Sequence, residues 1–224
     1  MPDMSTTDNA APSSRRNLRR IRLAVWLLVA LALLGFGYLW LTTQRDAEPG
    51  MTFTRQAEAS TAVEFGGPFT LTGADGRPFS SAEALQGKPY VIFFGFTNCP
   101  DVCPNTLARL AGLRKRMNAG ERPFEIVFVT VDPERDTPQA VGSYAQMFNT
   151  PIIGLTGTIA EVEQVAKSHG IYTAKVKEPS APDGYTVDHG AAALLFGKDG
   201  KFVATIAQEE TDAAALAKLR RIVA

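Results

Sequence analysis

YVIFFGFTNCPDVCPNTL, residues 90–107, holds most of what the chain says about itself. Its first seven residues are an unbroken apolar, β-branched and aromatic run, which suits a strand buried on both faces. From Pro104 to Met117 apolar residues recur at 107, 110, 111, 113 and 117, a helical spacing. Pro104 falls in the first turn of that helix, where its missing N–H is no loss. FEIVFVTV, residues 124–131, is a second buried strand. Cys99 and Cys103, the only cysteines, lie at the corner where the first strand turns into the helix.

Working outward, Phe69–Thr72, a turn at Ala74-Asp75-Gly76 and Arg77–Phe79 read as a hairpin. Residues 138–148 read as a helix and 152–155 as a short strand. Thr158 and Glu161 make a capping box for a helix that stops at Gly170. Tyr185–His189 and Ala192–Phe196 are strand-like, and Gly197–Gly200 turns the chain into a returning strand over 201–207. A closing amphipathic helix spans 211–223. These elements predict an α/β fold, one mixed sheet flanked by helices, and the C-terminal hairpin separates it from a purely parallel doubly wound sheet. A thioredoxin-like arrangement fits best. No phosphate loop or GxGxxG turn is present, so nucleotide use has no support.

The whole chain of 224 residues has 23 basic and 23 acidic side chains, and 45% of it is apolar. A core is therefore possible, and a nucleic-acid partner, which needs surplus Lys and Arg, is not expected. Two cysteines exclude a four-cysteine zinc cage or a disulfide-dense scaffold. The charge is unevenly spread. Arg15, Arg16, Arg19, Arg20 and Arg22 precede a charge-free run, Leu23–Leu41, and Arg45 follows it. Nineteen helical residues reach about 28 Å, close to the ~30 Å hydrocarbon core of a bilayer. Tyr38 and Trp40 fall at the far end, where amphipathic rings favour an interface. No A-x-A pattern closely follows the run, which argues for a retained anchor over a cleaved signal. Ser14-Arg15-Arg16 fits a twin-arginine signal poorly. The arginine bias puts the N-terminus in the cytoplasm. The expected organisation is a cytoplasmic tail (1–22), a transmembrane anchor (23–41), a linker (42–61) and a domain (62–224) in an oxidising compartment, the bacterial periplasm.

Thiols in the first turn of a helix meet unpaired N–H groups and the positive end of the helix dipole, which favours thiolate. A spacing of four brings them onto one helix face. Such a pair can close a disulfide or grip one soft metal ion, and thiolates favour Cu(I). A disulfide closing so small a loop would remove little chain entropy, so an inert staple is the poorer reading. His189 ends its strand before Gly190 and could complete a Cys2His site. His169 stands before Gly170 at a helix end, where a cation suits the dipole, and reads as structural. Asp132 and Asp136, in DPERDTP, read either as part of a solvated turn leading into a helix cap or as partners orienting a ligand.

Three segments, GFTNCPDVCPNTL (95–107), VDPERDTP (131–138) and YTVDHGAAALLF (185–196), resemble the Sco/SenC family of membrane-anchored copper proteins. The resemblance implies a thioredoxin-like fold and one copper ion, Cu(I) or Cu(II), held by Cys99, Cys103 and His189. It implies delivery of copper to the binuclear copper centre of cytochrome c oxidase. The partners would be the copper-centre subunit of that oxidase and a periplasmic copper donor. A thiol–disulfide role for Cys99 and Cys103 in the same pathway is the alternative. The three-residue gap, in place of the CxxC of thioredoxins, argues against fast general disulfide exchange, so an enzyme is not the first expectation. Many members have His where this chain has Asn98, which removes an accessory role there but none of the three ligands.

Overall fold

The computed structural model describes residues 14–45 and 65–224, without the side chains of 14–21, 24, 40–45 and 182. Most of the expected linker (46–61) and most of the expected tail (1–13) lie outside the described residues, while 42–45 of the expected linker continue a helix. The chain divides into two compact units, Met1–Glu58 and Ala59–Ala224.

In the first unit a single helix, α1, runs from Ser14 to Arg45. Its described large apolar side chains are between 41% and 74% exposed, from Val29 to Phe36, and they surround the helix. Among the described residues no helix is long and apolar enough to cross a membrane. The longest run with described side chains, 25–39, would reach only about 22 Å.

The second unit is built on a seven-stranded sheet. Its strands are β1 (Thr70–Gly73), β2 (Pro78–Ser80), β3 (Tyr90–Gly95), β4 (Glu125–Thr130), β5 (Ile153–Thr156), β8 (Ala193–Phe196) and β9 (Phe202–Ile206), in the order β2-β1-β5-β4-β3-β8-β9. β3, β4 and β5 are parallel, while β1, β2, β8 and β9 run antiparallel to their neighbours. Every residue of β3 and β4 is buried, as their continuous apolar runs require. The helices are α2 (Ser81–Ala84), α3 (Val102–Arg116), α4 (Pro138–Gln146), α5 (Ile159–Ser168) and α6 (Asp212–Val223). α3 packs with α6, and α4 and α5 pack against β1. The mixed sheet flanked by helices is as expected.

The helix starts follow from local chemistry. Thr137, Thr158 and Thr211 each accept an N–H from the first turn of the helix they open. The capping box at Thr158 and Glu161 is formed, and Gly170, at φ +65°, ends α5 with a left-handed residue.

The hairpin β1–β2 and the other expected helix and strand positions agree with the sequence reading to within two residues; the short α2 was not expected, and one strand is placed differently. Tyr185–His189 does not enter the main sheet. It forms β7 of a separate two-stranded ribbon with β6 (Thr173–Lys177), a strand the sequence reading missed. The slot beside β3 is taken by β8, whose four residues are all buried, whereas β7 buries only Val187. A strand with one buried residue suits an outlying ribbon better than a sheet interior.

Candidate metal and thiol site

β3 and β4 end side by side, with Gly95 opposite Thr130 and the Val131 N–H donating to the Gly95 carbonyl at 2.7 Å. The cysteine loop and the 131–137 loop therefore leave the sheet together at its carboxyl edge, where open α/β sheets place their sites.

α3 begins at Val102, two residues before the expected start, so Cys103 sits inside its first turn. Cys103 continues the buried stripe of Leu107, Leu110 and Leu113, and its side chain is fully buried. Asp101, the residue before the helix, gives no side-chain cap. Its carboxylate accepts from Asn105 instead. The Cys99 sulfur takes the vacant role, accepting the Cys103 N–H at 3.3 Å. Both cysteines are free, Cys99 half-buried.

His189 arrives from the ribbon, 86 positions along the chain, and places Nε2 at 3.7 Å from the Cys103 sulfur. Its Nδ1–H donates to the Gly190 carbonyl at 3.1 Å. Phe93 and Phe96 meet the imidazole edge to face, with centroids at 6.3 and 5.9 Å.

The two sulfurs are unlike. A hydrogen bond from the Cys103 thiol, helped by His189 and the N–H groups of Cys103 and Asp101, holds Cys99 well below the usual thiol range against the opposing effect of burial. Cys103 is pushed up, first by that same bond and then by burial. One proton is thus shared between the sulfurs and resides on Cys103.

Metal–sulfur and metal–nitrogen bonds of about 2.3 and 2.0 Å meeting at 110–120° put S and N roughly 3.6 Å apart. The gap from Cys103 to His189 therefore suits one ion. Yet among the described residues no group of three or more His, Cys, Asp or Glu side chains already surrounds a point where a metal could sit.

The 132–136 loop corrects one expectation. It is not a solvated turn: Asp132 is 0% and Asp136 1% exposed. Asp136 accepts the Thr97 N–H at 2.9 Å and the hydroxyls of Thr97 and Thr130, both at 2.5 Å. Asp132 pairs with Arg135 and accepts the Tyr185 hydroxyl at 3.0 Å. The helix cap itself belongs to Thr137. His169 is structural as expected but no cation. It is 1% exposed among the rings of Phe69, Phe94 and Phe196, and burial lowers its pKa.

A family model, SCO1/SenC, matches residues 57–224, three quarters of the chain. The chain belongs to the SCO1/SenC family. Among relatives in this family, the mitochondrial protein SCO2 of Saccharomyces cerevisiae is 34% identical over 197 residues, covering 86% of this chain. The match spans 64% of the length of that yeast protein. Copper-bound ScoI of Bradyrhizobium japonicum is 39% identical, with a TM-score of 0.62 over 70% of this chain and 99% of that one. BsSco, described with a disulfide switch and as a member of the Sco family of cytochrome c oxidase assembly proteins, is 28% identical. It has a TM-score of 0.55 over 71% of this chain and 94% of that one. The Sco fold is thus shared across the second unit. Sequence reading alone did not find Thr97, Thr130, Arg135 or Tyr185, although Thr97, Arg135 and Tyr185 all stood inside segments already singled out.

Proposed function

We propose that this chain binds one copper ion through Cys99, Cys103 and His189 and delivers it to the copper-centre subunit of cytochrome c oxidase. The single observation behind this reading is the 3.7 Å approach of His189 Nε2 to the Cys103 sulfur, between segments that the chain keeps 86 residues apart. Family membership and the copper-bound ScoI structure agree with it. A copper ion would displace the proton shared by the sulfurs, so binding should release protons and strengthen as pH rises. Two thiolates and an imidazole suit Cu(I), and they leave a side open for the receiving protein's ligands to exchange in. A periplasmic protein would supply the copper.

The same reading places the chain in the bacterial inner membrane, passing once through it over residues 23–41. The tail 1–22 is then cytoplasmic, 42–61 a linker and 62–224 a periplasmic, thioredoxin-like domain. It is supported by the five arginines that precede the charge-free run and by the apolar residues that recur throughout that run. An anchor keeps the ion near the plane where the oxidase subunit assembles.

The asymmetry of the sulfurs favours a second reading, reduction of a disulfide in the receiving protein. The Cys99 thiolate would attack one sulfur of that disulfide and release the other as a thiolate. Cys103, giving up its proton, would then attack Cys99 and free the second target thiolate. Two electrons pass to the target, and Cys99 and Cys103 end as a disulfide.

The test is titration of the reduced full-length protein with Cu(I) in competition with a chelator. His189→Ala should weaken binding by more than the roughly 10–100-fold that losing a ligand's supporting partner costs. Cys99→Ser should do the same. If His189→Ala binds as tightly as the parent, the three-ligand site is wrong. Disulfide reduction that survives His189→Ala would favour the second reading.

A further inference from the structure

The ribbon that carries His189 is a sheet of its own, and Asp132, Glu134 and Arg135 of one loop all reach it. The Arg135 guanidinium lies 3.9 Å from the centroid of the Tyr185 ring and 5.9 Å from that of Phe96. One of its N–H groups donates to the Tyr185 carbonyl at 3.3 Å, and its Nε pairs with Asp132. The Tyr185 hydroxyl closes the circuit on the other oxygen of Asp132 at 3.0 Å. Lys175 of β6 pairs with Glu134 and lies 4.9 Å from the same Tyr185 ring. Tyr185 and His189 stand four residues apart in β7, on one face of the strand. Phe96 touches both Arg135 and His189, so the ring is a shared wall between clamp and ligand.

We propose that Asp132, Arg135 and Tyr185 form a clamp that presents His189 to the sulfurs, setting metal affinity while leaving the dithiol chemistry largely as it is. They are positioning residues, acting through Phe96 and the β7 backbone. A buried ion pair adds little net stability over an apolar replacement, whereas it fixes geometry well. Arg in particular offers a rigid fork and a flat face for stacking, which Lys lacks. The inference rests on the copper reading above and separates its two halves. The Cys99 sulfur is held by the Cys103 N–H at 3.3 Å, a contact the imidazole does not make, so moving the imidazole leaves that sulfur in place.

The experiment compares Arg135→Lys and Tyr185→Phe with the parent in the full-length protein. Tyr185→Phe keeps the ring and removes only the bond to Asp132, so it guards against simple misfolding. Cu(I) affinity should fall about 10–100-fold in Arg135→Lys and about 10-fold in Tyr185→Phe. The rate of Cys99 alkylation should stay within about threefold of the parent. In the metal-free protein the His189 ring signals in NMR should lose the shifts imposed by Phe93 and Phe96. Parent-like copper affinity with unmoved His189 signals overturns the clamp, as does a thiol rate that falls as far as the affinity. If the parent itself binds no copper, the proposed function falls. The His189 signals still decide the clamp: displaced signals in the variants support it and unmoved ones overturn it.

Discussion

Gly95→Ala is a one-methyl probe of the site's packing. A Cβ at Gly95 would lie 2.8 Å from the Cys103 sulfur, 3.0 Å from Phe93 and 3.1 Å from Phe128. Carbon contacts settle at about 3.5–4.0 Å, so the sulfur has to retreat by roughly 0.7 Å or more. The two rings cannot absorb the methyl, because both are fully buried in the close-packed core. Overpacking of this kind costs about 1–3 kcal/mol. In a domain of this size each kcal/mol is worth roughly 2–4 °C, so a fall of about 4–8 °C in Tm is the central expectation. The displaced sulfur also exceeds the ~0.5 Å tolerance of a preorganised site, and Cu(I) affinity should drop about tenfold or more. Thermal melts of the reduced, metal-free protein and chelator competition measure the two effects. Gly112→Ala is the control, since nothing lies within 4 Å of its Cβ in the interior of α3. That change should stabilise by up to about 1 kcal/mol and leave copper binding alone. Parent-like melting and binding in Gly95→Ala would refute the packing of Cys103 against β3.

Cys99, lowered to about 4 chiefly by the Cys103 thiol, should react with iodoacetamide well below neutral pH. An acid with a depressed pKa stabilises the fold above its unfolded value, about 8.5 for a thiol, and that contribution fades as pH falls through the folded value. Cys103→Ala should move the midpoint of labelling upward, and a parent midpoint near the ordinary thiol value would contradict the hydrogen-bonding account. His169 runs in the same sense for a different reason. Burial lowers its pKa, its Nδ1–H donates to the Val165 carbonyl at 2.8 Å, and Nε2 has no partner among the described residues. Its contribution is present above the unfolded value of about 6.5 and is lost as pH falls through the lower folded one. Urea melts between about pH 8 and 5 should show a smaller loss of stability in His169→Gln than in the parent, and equal slopes would count against a neutral buried imidazole.

The sheet was legible because its central strands are apolar on both faces and its helices carry a helical stripe. Even the burial of Cys103 could have been read, since it stands four residues before Leu107 on that stripe. What stayed hidden depends on long-range partners. Thr173–Lys177 carries two lysines around one valine, which resembles a surface loop until Tyr185–His189 is known to lie beside it. Asp132 and Asp136 look like turn residues because Asp favours turns, and nothing local announces that Thr97, Thr130 and Tyr185 bring donors to bury them. His169 was placed at a helix end, but a terminus says nothing of the three phenylalanines that arrive from β3, β8 and the segment before β1.

The difference between the two sulfurs follows from what each faces. Cys99 meets the N–H groups at the start of α3, a place that favours negative charge. Cys103 points into the core, and the Asp136 charge further disfavours a second thiolate there. Asp136 is itself pushed up by burial, opposed by the Thr130 and Thr97 donors that converge on it. The carboxylate that fixes Thr97, two residues before Cys99, therefore also helps keep the proton on Cys103. In the same loop Asp132 fixes the strand that brings His189. A metal ion that takes the place of the shared proton would hold both sulfurs as thiolates by attraction to a cation.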